Sequence, residues 1–285
     1  MAYAKPEALV STAWLADHLD DPNVRIIDAS HHLPTTGRKP RTEYDAEHIP
    51  GAAFFDIDGI ADHATDLPHM LPDAATFGEA VGRLGIGNGH KVVVYDTIGT
   101  TGAARVWWTF RAFGHDDVAV LDGGLPKWKA EGRPLSAEPA AYAPETYAAK
   151  LDAGLVRSLE QVRANIDAKR EQVLDARSRG RFRGTDPEPR AGLRSGHVPG
   201  SCNLPSTELF QADRSFKPAE ELERLFRDAG IDLGRPIVTT CGSGVTAAVL
   251  ALGLYLIGRD DVAVYDGSWS EWGGRPDVPV DTSAW

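Results

Sequence analysis

Short apolar runs alternate along this chain with longer stretches of helical periodicity. "VRIIDAS" (24–30), "KVVVYDT" (91–97) and "DDVAVLDGG" (116–124) are rich in β-branched residues and lack the strict apolar/polar alternation of a half-exposed strand. They predict strands buried on both faces of a parallel sheet. Between the latter two, "AARVWWTFRAFG" has helical length and stops at Gly114, a residue suited to ending a helix. Strands alternating with helices predict an α/β fold, a parallel sheet flanked by helices.

The same order then recurs. "QVLDARS" answers "VRIIDAS", "GHVPGSCNLP" answers "EHIPGAAFFD", "RPIVTTC" answers "HKVVVYD", and "RDDVAVYDGSWSEW" answers "HDDVAVLDGGLPKW". The pairs Asp28/Asp175, His48/His197, Asp96/Cys241 and Asp122/Asp266 keep a near-constant separation of 144 to 149 residues. Four landmarks in register imply a duplicated domain. The Pro- and Ala-rich "GRPLSAEPAAYAPETYAAKLDAG" between the copies reads as a linker. The boundary is therefore expected near residue 150, with domains of about 1–145 and 146–285.

At 285 residues, with 42% hydrophobic and 25% charged, the chain suits two soluble globular domains. A net charge of -11 argues against nucleic acid, whose phosphates need a basic face. The longest apolar run, Val245 to Ile257, falls short of the roughly 20 residues that span a bilayer. Two cysteines make no disulfide framework, no Cys/His cluster has metal-ligand spacing, and the first residues lack a secretory pattern. The expectation is a cytoplasmic protein with free thiols, no metal and no organic cofactor.

The duplication supplies an internal control. Where the second copy's strand "RPIVTTC" ends in Cys241, the first copy's "HKVVVYD" ends in Asp96, so any thiol chemistry is confined to the second half. Cys241 precedes Gly242-Ser243-Gly244 and an apolar helix beginning near Val245. The amides of Gly242, Ser243, Gly244, Val245 and Thr246 could curl around the sulfur at a positive helix end. The glycines permit the close backbone such a cradle needs, and such surroundings favour a nucleophilic thiolate. The competing reading is a buried structural cysteine, free cysteine being among the most buried residue types. Cys202, in "PGSCNLP", lacks such a loop and reads as filler.

The tandem repeat, the "HIPGA" and "HVPGS" segments, the "DGSWSEW" segment and the "CGSGVT" loop together resemble the rhodanese superfamily of sulfurtransferases, from about Leu9 to Pro279. The resemblance implies sulfur transfer through a Cys241 persulfide. Neutral Gly242 and Ser243 resemble the branch using 3-mercaptopyruvate, since the thiosulfate branch typically carries Arg and Lys there. Ala247 stands where related phosphatases need an arginine to clamp phosphate.

The resemblance further implies that Arg181 and Arg190 hold the donor's carboxylate and keto oxygens, a task suited to the guanidinium fork. Asp58 and His69, from the first half, match a pair that would join Ser243 in a Ser-His-Asp relay. Arg183 and Arg194 read as structural or rim residues, His63 as solvated, and the repeated His48 and His197 as structural. A small-molecule sulfur donor and a thiol acceptor such as thioredoxin, or cyanide, are the implied partners, with no nucleic acid or membrane. A thiosulfate:cyanide sulfurtransferase, and a non-catalytic sulfur carrier or interaction module, stand as alternatives.

Overall fold

The computed structural model describes residues 2–283. Its first sheet comprises β1 (Leu9–Val10), β2 (Val24–Asp28), β3 (Ala53–Phe54), β4 (Lys91–Tyr95) and β5 (Val118–Leu121), in the order β1-β5-β4-β2-β3. The second comprises β6 (Val156–Arg157), β7 (Gln172–Asp175), β8 (Cys202–Asn203), β9 (Ile237–Thr240) and β10 (Ala263–Tyr265), in the matching order β6-β10-β9-β7-β8. All pairings within both sheets are parallel. β4 is buried from Val92 to Tyr95 and β9 throughout, as befits strands covered by helices on both faces.

In each sheet the chain steps outward from its second strand to its third, then crosses back to the fourth. The direction reverses between β2 and β4, and between β7 and β9. Loops leaving the carboxyl ends of such a strand pair splay apart and open a crevice. Cys241 follows β9 directly, on that rim.

The two domains meet through the helices Gly102–Ala112 and Ala247–Leu256. The second is buried at every position and apolar all round, so its whole circumference is covered by protein. One continuous hydrophobic core joins residues of both copies, including Phe110, Trp107, Leu209 and Leu250. Arg105 lies within this packing at 2% exposure.

The stretch between the copies is irregular, yet it docks against the first domain. Glu145 N–H donates to Gly82 O at 2.9 Å, Lys150 N–H to Phe113 O at 3.1 Å, and Tyr147 is buried. A Cβ at Gly78 or Gly82 would lie 2.7 Å from Tyr147 O or 2.4 Å from Glu145 O. The Ala74–Arg83 helix thus needs glycine for this chain to pass so close.

His48 and His197 occupy equivalent buried sites. His48 stacks on Tyr44 and lies 2.7 Å from its carbonyl, while His197 stacks on Phe182 and lies 2.8 Å from that carbonyl. Both serve the scaffold. No helix among the described residues is long and apolar enough to cross a membrane.

Candidate functional site

Cys241 is 2% exposed, and its backbone is held by the segment after β10. Cys241 N–H donates to Ser268 Oγ at 3.1 Å, and Trp269 N–H donates to Cys241 O at 3.0 Å. Ser270 gives Gly242 O both its N–H, at 2.8 Å, and its hydroxyl, at 2.7 Å. Ser268 adopts φ 48°, a left-handed conformation uncommon for a residue with a side chain. Its hydroxyl also donates to Tyr265 O, closing the link between strand end and cysteine.

Past the sulfur, the amides of Gly242, Ser243, Gly244, Val245 and Thr246 donate no hydrogen bond to any other described residue. What such a loop does with an anion is visible in the first domain. Asp96 Oδ1 accepts from Ile98 and Gly99 N–H at 2.9 and 2.8 Å, and Oδ2 accepts from Thr101 and Ala103 N–H at 2.6 and 3.0 Å. Asp96 thus fills an amide-lined anion hole with its own carboxylate. In the second copy the strand ends in a thiol, and the corresponding amides of Ser243, Gly244 and Thr246 have no acceptor among the described residues.

Two arginines reach the loop from the segment after β7. A Cβ built on Gly242 would lie 3.0 Å from Arg181 Nη2. Arg181 is held by Glu188 Oε2 at 2.6 Å, and Glu188 also takes Arg177 Nη1 at 2.8 Å. Arg177 is wholly buried against Asp175, its Nη2 2.6 Å from Oδ2. Arg190 is half-buried; burial pulls its guanidinium below the ordinary range, and the Cys241 sulfur opposes that shift. Arg177 and Arg181 thus share the carboxylates of Asp175 and Glu188, and Arg190 adds a further guanidinium beside the loop.

The facing wall comes from the first domain. Asp58 Oδ1 lies 2.6 Å from His69 Nδ1, and the ring beside it holds the Asp58 carboxyl below the usual range. No hydrogen bond joins Ser243 to His69 among the described residues; His69 Nε2 faces Arg190 Nη2 at 3.3 Å. The structure thus assembles Asp58 with His69 but not the expected third link to Ser243, which is buried in the loop. The His69 backbone is held apart from the ring, with φ 62° and its carbonyl accepting from Arg105 Nη2.

Arg105 was not singled out in the sequence, although its partners His69, Gly244 and Asp266 were. Its Nη1 pairs with Asp266 Oδ1 at 2.6 Å and reaches Gly244 O at 3.4 Å, while Leu71 N–H donates to Asp266 Oδ2 at 2.8 Å. One buried cation therefore ties the His69 loop, the Cys241 loop and the end of β10 together. The available signal was an arginine inside an otherwise apolar helical run, which demands a buried partner. His31 was also missed; its Nε2 lies 3.7 Å from Asp58 Oδ2, and its ring meets His69 edge-on at 4.5 Å. Burial pushes the His31 imidazole down to about 4.

The other candidates lie apart from the sulfur. His63 is exposed. Arg194 clamps the carboxyl-terminal segment through Trp272 O and Val278 O, both at 3.0 Å. Cys202 sits on β8, where burial pushes its thiol up. A surface cavity of about 980 Å³, lined by Asp152, Gln161, Asn165 and Asp261 among others, lies at the amino ends of β7, β9 and β10. The sulfur is at the other edge of the sheet.

Fold and site together define a duplicated α/β protein with a thiol beside free amides and cations at the carboxyl edge of one copy. Comparison with known proteins gives the family. The rhodanese-like domain model matches residues 11–131 and 158–275, and the chain belongs to that family. It is 48% identical to human 3-mercaptopyruvate sulfurtransferase over 271 residues, covering 93% of this chain and 91% of the relative. It is 46% identical to the mitochondrial thiosulfate/3-mercaptopyruvate sulfurtransferase 1 of Arabidopsis thaliana over 297 residues, covering 97% and 78%. The solved structure of Escherichia coli SseA, described as a 3-mercaptopyruvate sulfotransferase, superposes with a TM-score of 0.84 at 39% identity, covering 92% of this chain and 98% of that one.

Proposed function

We propose that this chain is a sulfurtransferase that moves sulfur from 3-mercaptopyruvate to a thiol or to cyanide through a persulfide on Cys241. The observation that carries the reading is the amide loop beside Cys241, empty of internal acceptors where the first copy's loop is filled by Asp96. The Cys241 thiolate attacks the donor sulfur, the carbon–sulfur bond breaks, and its electron pair leaves on pyruvate as the enolate, which then takes a proton. The loop amides hold the anionic persulfide, and Arg181 and Arg190 hold the donor carboxylate and the developing enolate oxygen. His69, backed by Asp58, stands at the mouth beside Arg190 and handles that proton.

In the second half-reaction an acceptor thiol, such as reduced thioredoxin, or cyanide attacks the outer sulfur and restores the Cys241 thiolate. Neutral Gly242 and Ser243 favour a donor whose charge is met by the two arginines rather than by the loop itself. A cytoplasmic location belongs to the same reading and is checked by fractionation of the source cells.

Intact mass after donor treatment should show one added sulfur on the wild type and none on Cys241→Ser. An unmodified wild type refutes the scheme. Steady-state kinetics with both donors should favour 3-mercaptopyruvate, with Arg190→Ala raising its KM. A preference for thiosulfate overturns the donor assignment, and a persulfide that forms but passes to no acceptor identifies a carrier.

A further inference from the structure

Three metal-ligating atoms converge at the mouth of the crevice. One ligand atom each from His31, Asp58 and His69 lies within 4.8 Å of the other two. The His69 side chain is 3% exposed, and its Nδ1 is buried without an aligned hydrogen bond, although Asp58 Oδ1 is only 2.6 Å away. Either a proton on Nδ1 or a cation shared among the three groups satisfies that nitrogen and the facing carboxylate together. Arg190 Nη2 faces the opposite ring nitrogen, Nε2, at 3.3 Å; a metal on Nδ1 places the ring proton on Nε2 and requires Arg190 to turn away.

We propose that His31, Asp58 and His69 form a binding site for a late first-row divalent ion, Zn2+ above all, and that the bound ion inhibits the enzyme. Two imidazoles and one carboxylate suit Zn2+ better than Mg2+ or Ca2+, which prefer all-oxygen shells. Bonds of about 2.0 Å place tetrahedral ligand atoms about 3.3 Å apart. His69 Nδ1 lies 2.6 Å from Asp58 Oδ1 and His31 Nε2 lies 3.7 Å from Asp58 Oδ2, so the carboxylate must rotate to present one oxygen to an ion shared by both rings. The Asp58 side chain is 65% exposed, so its carboxylate is able to make that turn. Three protein ligands leave a fourth position for water or for a donor thiol, the open arrangement of an accessible zinc site.

Inhibition rests on the proposed sulfur transfer, because the ion would withhold His69 and Asp58 from proton handling. Binding does not rest on it, so the two are tested separately. Co2+, whose visible spectrum reports coordination, is titrated into the Cys241→Ser protein, which removes the competing thiolate. One equivalent should bind with a tetrahedral-type spectrum. Its affinity should fall more than about tenfold in Cys241→Ser/His31→Phe, at least the loss seen when a partner of a metal ligand is removed. His31→Gln should behave alike and guards against misfolding of the phenylalanine variant. A spectrum unchanged by both His31 substitutions, or absent once Cys241 is replaced, overturns the site.

For inhibition, Zn2+ that halves wild-type turnover should leave His31→Phe at its own metal-free rate, and EDTA should restore the wild type. Equal inhibition of both proteins overturns the regulatory role. An intact Co2+ spectrum on a protein that transfers no sulfur would locate the failure in the proposed activity and leave the site standing.

Discussion

Replacing Arg105 with methionine tests the coupling of the two domains to the site. The substitution keeps an apolar stem but removes the charge, together with the guanidinium whose carbon lies 4.6 Å from the Trp108 ring centre. Asp266 would then remain buried, its side chain 4% exposed, with Leu71 N–H as the donor to Oδ2 and nothing in place of Arg105 at Oδ1. Breaking a buried ion pair from one side costs about 3–5 kcal/mol, against a total stability of about 5–15 kcal/mol. With a urea dependence of about 3 kcal/mol per M, the unfolding midpoint should fall by roughly 1–1.7 M.

Asp266→Asn removes the other charge while its amide oxygen still accepts from Leu71. The double variant should therefore be more stable than the sum of the single effects by about 0.5–3 kcal/mol. Urea unfolding followed by circular dichroism measures all three. Arg105→Met should also slow persulfide formation, because the His69 and Gly244 carbonyls lose the cation that gathers them. A midpoint within about 0.5 M of wild type, or single effects that add within about 0.5 kcal/mol, refutes the idea that this pair clamps the crevice.

Gly242→Ala places a Cβ 3.0 Å from Arg181 Nη2 without backbone strain. It should raise the KM for 3-mercaptopyruvate several-fold while leaving the urea midpoint nearly unchanged. A changed midpoint with an unchanged KM would place Arg181 outside donor binding. Asp96→Asn sets an NH2 against two of the four N–H groups around Asp96. It should cost about 2–3 kcal/mol yet leave sulfur loading of Cys241 intact, read by denaturation and mass. Asp122 accepts from Phe216 N–H across the domain interface, and burial pushes its carboxyl up to about 6. A raised acid stabilises the fold while protonated, so its contribution is present below about pH 4 and is lost as pH rises through about 6. Asp122→Asn should remove that part of the slope, and identical pH profiles of wild type and variant would contradict it.

The regular elements were legible because their signals are local. A parallel strand covered on both faces is rich in β-branched and apolar residues, and "VVVY" and "IVTT" are buried as such a pattern requires. The stretch between the copies was harder to read: it docks largely through backbone carbonyls against glycines, which leave no periodicity in side chains. The thiol loop was legible too, because its internal copy ends in Asp96 where this one ends in Cys241. The Asp58–His69 pair was suggested by family resemblance, while the missing link to Ser243 was not.

By itself the sequence determined the duplicated α/β order, the single domain able to carry thiol chemistry, and the neutral loop behind Cys241. Each is a matter of residue identity or of periods within one element. Only the tertiary structure decided which wall faces the sulfur. Arg105 meets Gly244 across 139 residues, and Leu71 meets Asp266 across 195. No local pattern encodes such contacts. They arise because two apolar helices from different copies bury each other and bring the carboxyl edge of one sheet against a loop of the other.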